Sequence, residues 1–511
     1  IFSIHPVNVD TVAWISELKN TLSMFFYAAA ILLYYRFDEG SRWRWYGLSL
    51  AAFLLALLSK TGIIMLPVVL LGCLWWSHNQ LRLKDLVRTV PFFVLSLVFG
   101  LVTIWFQHHR MARGFVVPTT GLLTRLVVAG WTPWFYFYKA LLPVALNVVY
   151  PKWDIDASRW VSYLPGALLV GCFSVFWSKR RTWGRPLVFA LGYFVVTLFP
   201  VLGFFNQDFH RLSLVADHWQ YQSMVGIIAL VVAAGMVIGK RTSWRGRCLG
   251  VSLTVAVLAM LAVATWKRAG VYADSQTLWR DALSKNPNAW IAHDNLGLEL
   301  CRLGRSAEGI AHYEQALRLN PVDALAHDNL GSAFAQVGRI EEAVEQFDLA
   351  VRLGPAMVDA HYNLGRALVR LGRLPEAIDQ YEQTLRLDPD DADAHFDLGN
   401  ALFASGNVKE AIGHWEEVVR IKPNHAEARN NLAAALAQAG RLQEAIEQFN
   451  QVVRITPDDP EAHFNLALAL EQTGRTKDAM ESYQQALRIR PDYPEARGNL
   501  TRLQARQSPA P

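Results

Sequence analysis

Ionisable side chains crowd the start of the chain, at the mouth of an apolar run. His5, Asp10, Glu17 and Lys19 lie there with Asn8 and Asn20. A charged group at bilayer depth costs about 2.5–3.5 kcal/mol on insertion scales, so groups held there line a water-filled or reactive cavity. The alternative is a solvated exterior loop. Further polar residues stand at the ends of later apolar runs: Lys60 after Ser59, Lys139 among aromatics, His210-Arg211, and Asp217-His218 with Tyr221. A lysine in such a place either holds an anion or caps a turn and snorkels to the interface. Asp217 either faces a ligand or caps a helix start.

A second set of chemically useful residues recurs in the C-terminal part. Asn295, Asn329, Asn363, Asp397, Asn431, Asn465 and Asn499 follow one another every 34 residues. A carboxamide column on a concave helical face is able to donate to and accept from the backbone of an extended peptide. Asparagine is a poor helix former with no capping duty at this position, which favours the ladder over solvated surface asparagines. The column resembles the asparagine ladder of the nucleocytoplasmic O-GlcNAc transferase, whose catalytic domain the chain lacks. His293, His327, His361, His395 and His463 form another column. Packed helices stand about 8–10 Å apart, whereas metal ligands converge within about 2.1 Å of one ion. These histidines are therefore assigned to packing between repeats and no metal site is expected. Cys73, Cys172, Cys248 and Cys301 have neither metal-ligand nor disulfide-framework spacing.

Two kinds of element must position these residues, and the predicted fold is all-α. From Trp290 on, the sequence repeats with the 34-residue period of the tetratricopeptide repeat (TPR). Leu-Gly or Leu-Ala pairs begin at Leu296, Leu330, Leu364, Leu398, Leu432 and Leu466. Turn glycines stand at Gly304, Gly338, Gly372, Gly406, Gly440 and Gly474, and aromatics from Tyr313 to Tyr483 keep the same step. The small residue lets helix A approach helix B, the glycine relieves the turn, the aromatic plugs the next repeat, and a proline ends helix B. Six full repeats and a capping helix are expected over 290–505. Residues 267–289, with Trp279, Ala282 and Pro287 in register, read as a lone helix B docked on the first repeat.

Residues 1–266 carry apolar runs approaching the roughly 20 residues that a bilayer span needs. The part before Trp290 holds 27 Lys/Arg against 11 Asp/Glu, the rest 22 against 33, so an overall +5 conceals two opposite halves. The basic residues fall in short loops between apolar runs: Arg42 and Arg44; Arg82, Lys84 and Arg88; Lys179 to Arg185; Lys240 to Arg247. That is the cytoplasmic-loop pattern of a membrane protein and argues against a nucleic-acid partner. Alternation of sides requires 122–142 to be re-entrant or interface-lying, which leaves about eight crossings. The polar loops and the repeats then share the extracytoplasmic side, with membrane lipid around the first part; short loops and compact repeats suit a bacterial inner membrane.

The His5-Pro6-x-x-x-Asp10-x-Val12 run, Ser59-Lys60, Phe135-Tyr136-x-x-Lys139, Tyr150-Pro151-x-Trp153 and Val215-Ala216-Asp217-His218-x-x-Tyr221 carry a resemblance. In order and spacing they resemble the transmembrane-and-tetratricopeptide O-mannosyltransferases and their bacterial relatives, over essentially the whole chain. The family often has His where Asn8 stands and Glu where Asp10 stands. The resemblance implies a membrane glycosyltransferase of the polyprenyl-phosphate-sugar-dependent type. It implies transfer of one sugar, mannose in that family, from the lipid phosphate to Ser or Thr of an acceptor protein that the repeats recruit. A carboxylate takes the hydroxyl proton and cations hold the departing phosphate. Lys60, Lys139 and Arg211, with His210 behind them, are the implied phosphate ligands; the family's acidic pair would precede Ile1, leaving Asp10 and Glu17 as substitutes. His5, Lys19, Asp217, His218 and Tyr221 complete the membrane-face site. No cofactor beyond the lipid-linked sugar is implied, and the need for a divalent metal is left open. The rival expectation is an inactive membrane-anchored scaffold whose repeats assemble envelope proteins.

Overall fold

Long apolar runs, followed by amphipathic runs of 13 or 14 residues punctuated by glycine and proline, leave the backbone one economical way to satisfy its polar groups: helices. The computed structural model describes residues 5–9, 18–111, 121–204 and 213–507, and every regular element among them is helical. Asp10, Glu17, His210 and Arg211 lie outside the described residues. Clustering of contacts divides the chain into two compact units, Ile1–Gly304 and Arg305–Pro511. The last helix of the membrane part, the half-repeat and the first repeat helix thus belong to the first unit, whereas the sequence pattern drew its boundaries at 266 and 289.

In the first unit, α1 (Leu18–Gly40) and α2 (Trp43–Ser59) form a tight antiparallel hairpin. Ser49 Oγ donates to Ala30 O at 2.7 Å across it, and Tyr27, Tyr34, Phe53 and Phe92 fill its core. Helices α3 (Leu66–His78) and α4 (Leu83–Met111) follow, α4 holding Pro91 within its length. Residues 122–142, expected to be re-entrant or interfacial, form one unbroken helix, α5 (Leu122–Leu141). It crosses α6 (Leu164–Ser178) at a pair of glycines: a Cβ on Gly130 would stand 2.9 Å from the Gly166 Cα. Trp131 and Trp134 lock the crossing by donating to Ser162 O and Pro165 O. Helices α7 (Gly184–Leu198), α8 (Met224–Arg241) and α9 (Trp244–Val271) complete the apolar helices of this unit.

Six stretches among the described residues are long and apolar enough to cross a membrane: Thr61–His78, Leu83–Phe106, Trp160–Ser178, Gly184–Val201, Met224–Arg241 and Trp244–Val271. Helix α2 is a shorter apolar helix. In α1, Lys19, Asn20 and several tyrosines dilute the apolar run.

Asp274 caps α10 (Ser275–Lys285) by accepting from Thr277 N at 2.7 Å, and Ala282 and Leu278 bury against α11 (Trp290–Arg302). The sequence pattern reads this segment as a lone helix B. The same apolar cluster takes in Val148 and Val149 from the loop after α5. Polar contacts fasten that loop: Arg268 Nη1 and Lys285 Nζ donate to Leu146 O at 3.1 and 2.8 Å. Asn286 Nδ2 donates to Val149 O at 3.2 Å, and Asp281 pairs with both Arg268 and Lys285.

The second unit is a run of helix pairs, from α12 (Ser306–Leu319) through α13 (Ala324–Gln336), α14 (Ile340–Leu353), α15 (Val358–Arg370), α16 (Leu374–Leu387), α17 (Ala392–Ala404) and α18 (Val408–Ile421) to α23 (Pro494–Gln507). The turn glycines from Gly304 to Gly474 all have φ between 74° and 89°, a left-handed conformation that explains glycine there. The approach of A to B is close enough that a Cβ on Gly365 would meet the Tyr381 ring at 2.7 Å.

Candidate functional site

A cavity of about 680 Å³ lies where the exposed side of α4 faces the α2–α3 turn and the segment after α7. Its polar lining includes Asn20, Ser23, Lys60, His218, Tyr221 and Gln222, besides the hydroxyls of Thr61, Ser96, Thr103 and Thr197; Phe93, Leu97, Leu101, Ile104 and Phe199 supply apolar wall. Lys60 closes α2 with its own N–H on Ala56 O at 2.9 Å and an extended backbone (φ −159°), while its ammonium donates to Asn20 Oδ1. Ser23, one helical turn beyond Asn20, is 1 % exposed, and its Oγ has no hydrogen-bond partner. A cation and a spare hydroxyl lining a mainly apolar cavity suit an anionic head with an apolar tail.

The expected site residues separate into this cavity and a buried clasp beside it. Lys139 does not line the cavity: its ammonium donates to Val144 O at 2.6 Å and Ala145 O at 3.2 Å, and stands 5.2 Å from the Tyr150 ring. Asp217 does not cap its own 3-10 helix (Asp217–Gln220); its Oδ1 accepts from Tyr150 Oη at 2.7 Å. Tyr136 bonds both the carbonyl and the N–H of Ala216, holding this short helix against α5. His5 is buried, with Nε2 at 3.0 Å from Ala140 O, and burial lowers its pKa. His218 and Tyr221, which follow Asp217, reach the cavity wall; Lys19 is exposed. The clasp therefore sets the register of the segment that carries His218.

Ser23, Gln222 and the 144–149 carbonyls were not foreseen as parts of this region. The spacing of Ser23 from Asn20 places both on one helix face, which was a usable signal. The carbonyls carried none, because main-chain acceptors look alike at every residue.

In the solenoid, side chains of the asparagine column tie consecutive A helices together. Asn363 Nδ2 donates to Asp328 Oδ1 at 3.1 Å, Asn431 Nδ2 to Asn400 Oδ1 at 3.2 Å, and Asn465 Nδ2 to Asn430 Oδ1 at 3.1 Å. Asp397 accepts from Tyr362 Oη at 2.9 Å. Asn295 bonds back to Ile291 O, and Asn499 donates to Tyr483 Oη; Asn329 is half-buried on α13. Burial raises the carboxyl pKa of Asp328 and of Asp397, against the lowering effect of their Asn363 and Tyr362 partners. The histidine column serves the loops: Nε2 of His293, His327, His361, His395 and His463 lies 3.0–3.2 Å from the carbonyl of Pro287, Pro321, Pro355, Pro389 and Pro457 in turn.

Family models described as tetratricopeptide repeat match residues 295–358, 362–426, 402–470 and 460–493. The C-terminal part is therefore a TPR solenoid, the class of structure that binds peptide or protein partners. Among solved structures the chain is similar to YrrB, described as a TPR protein with an unusual peptide-binding site, at 27% identity and TM-score 0.35, covering 37% of this chain and 96% of that one. It is similar to MamA at 25% identity and TM-score 0.31, covering 31% and 94%. It is similar to PilF of Pseudomonas aeruginosa at 18% identity and TM-score 0.36, covering 43% and 99%. A search of curated proteins found no match.

Proposed function

We propose that the protein is a membrane-embedded transferase whose cavity takes a polyprenyl-phosphate-linked sugar and whose repeats hold the acceptor protein on the same, extracytoplasmic side. One observation carries this reading: Lys60, bonded to Asn20, and Ser23 one turn further on line the same large, mainly apolar cavity. In the transfer, the acceptor hydroxyl oxygen bonds to the anomeric carbon while the bond from that carbon to the phosphate oxygen breaks. The phosphate leaves with the electron pair, and the Lys60 ammonium stabilises its growing charge. The hydroxyl proton passes to a base. Within the cavity the His218 imidazole is the candidate to accept it; Asp10 and Glu17 are the acidic candidates outside the described residues.

The test is transfer of labelled mannose from a polyprenyl phosphate to a Ser/Thr peptide. Lys60→Ala is expected to lower transfer at least a hundredfold, since removing one oxyanion donor costs about 10²–10³ in rate. Unchanged transfer would remove Lys60 from the reaction. A second reading, a TPR scaffold anchored in the membrane, is favoured by the engagement of Lys139 with carbonyls, which leaves Lys60 with fewer expected partners. Under that reading no transfer occurs, and partner capture by the repeats is indifferent to Lys60→Ala.

A further inference from the structure

A second cleft, of about 150 Å³, lies between α3, α6 and α7. Its lining is apolar, with Val68, Val69, Phe173, Val188, Phe189 and Val196. Two missing side chains open it: a Cβ on Gly72 would make ordinary contact with Phe189 at 3.7 Å, and one on Gly192 with Phe173 at 3.8 Å. The flank of α6 beside it is exposed and apolar, Val170, Phe173 and Trp177 all being accessible. A slot that opens along such a surface is accessible to an acyl chain.

The lining continues to a group of cations. Trp75 belongs to the cleft wall and stacks on Trp177, centroids 5.9 Å apart and planes 17° from parallel. Arg180 lies 4.7 Å over the Trp177 ring, and the Arg185 guanidinium 4.9 Å from the Trp76 ring. Arg185 Nη2 donates to Trp76 O and reaches Trp75 O at 3.4 Å, but its Nε is buried with no hydrogen-bond partner. These acceptors are neutral carbonyls, so the charge of Arg185 is held in place and not cancelled. A phosphate diester supplies the paired anionic oxygens that guanidinium groups bind in fork geometry. Stacked tryptophans beside the cations are typical of headgroup depth.

We propose that this cleft binds one anionic phospholipid, an acyl chain lying between α3, α6 and α7 and the phosphate resting on Arg180 and Arg185. The cleft adjoins the Lys60 cavity at Val68 but uses different cations, and the proposal does not depend on the transferase reading.

The test uses the full chain in detergent, titrated with phosphatidylglycerol or phosphatidylcholine of identical acyl chains and read by native mass spectrometry. Phosphatidylglycerol is expected to be retained at least tenfold better. Arg180→Gln with Arg185→Gln should abolish that preference. Gly192→Leu, which fills the slot without changing charge, should lower retention at least fivefold. Arg245→Gln with Arg247→Gln, in the first turn of α9, should leave retention unchanged. Equal retention of the two lipids, indifference to Gly192→Leu, or an equal loss in the Arg245/Arg247 variant would overturn the proposal. So would displacement of the lipid by millimolar inorganic phosphate, which would assign a bare phosphate site. Because Arg185→Gln also removes two contacts to the end of α3, Arg180→Gln alone is measured beside it and should give a partial loss.

Discussion

Lys60 and Lys139 both sit at the end of an apolar helix, and only the structure separates their tasks. The first lines a cavity that His218 also lines; the second fixes the carbonyls of Val144 and Ala145. Sequence spacing supplies the side chain of a lysine and not the acceptor it will meet, which is why the two were grouped together. Asp328 shows the same limit, since its burial comes from neighbouring repeats. Its carboxyl pKa is raised chiefly by desolvation, so the folded state binds its proton more tightly than the unfolded chain does. The associated stability is present below the unfolded carboxyl pKa and is lost as pH rises through the higher folded value. Asp328→Asn keeps an acceptor for Asn363 and removes that loss. At pH 7 it should increase hydrogen-exchange protection of α13 and α15 over the parent, the difference closing as pH falls through the carboxylate range. A gap that widens in acid would contradict the assignment.

At the scale of elements, the repeats were the most legible part because each marker has a local cause. Turn glycines have positive φ, and Leu-Gly pairs mark close helix approaches. The chain supplies its own control, since Ala433 and Ala467 replace glycine where the facing aromatics, by the same register, are Phe449 and Tyr483. Gly399 faces the larger Trp415, whose ring a Cβ would meet at 2.7–3.0 Å. Gly399→Ala should therefore destabilise α17 and α18 by about 1–3 kcal/mol through overpacking. Amide exchange of those two helices in the full chain measures it, and an unaltered rate would show that Trp415 can shift at no cost. The membrane helices were less legible. Apolarity announces a helix without saying which face packs, and the Gly130–Gly166 crossing depends on a partner distant in sequence.

For the whole molecule, composition and contacts draw the seam at different places. Hydropathy ends near Trp266, yet the contacts of α10 and α11 keep them with the membrane part, and the division falls after Gly304. Arg268 is 5 % exposed and bonds Leu146 O, Asp281 and the Tyr272 hydroxyl. Removing one member of such a buried pair typically costs about 3–5 kcal/mol. Arg268→Ala is thus expected to expose residues 142–153 to protease in the folded, detergent-solubilised chain. An unchanged digestion pattern would show that Val148 and Val149 hold the loop unaided. A chain ended at Trp266 should aggregate in detergent, whereas one ended at Gly304 should remain monodisperse. Because α10 serves as both a half-repeat and the bed of the 146–149 loop, the two parts are not interchangeable cassettes. Grafting a foreign solenoid at the hydropathy boundary would leave two valines and several carbonyls bare, so a viable chimera must inherit the first three dozen residues beyond it.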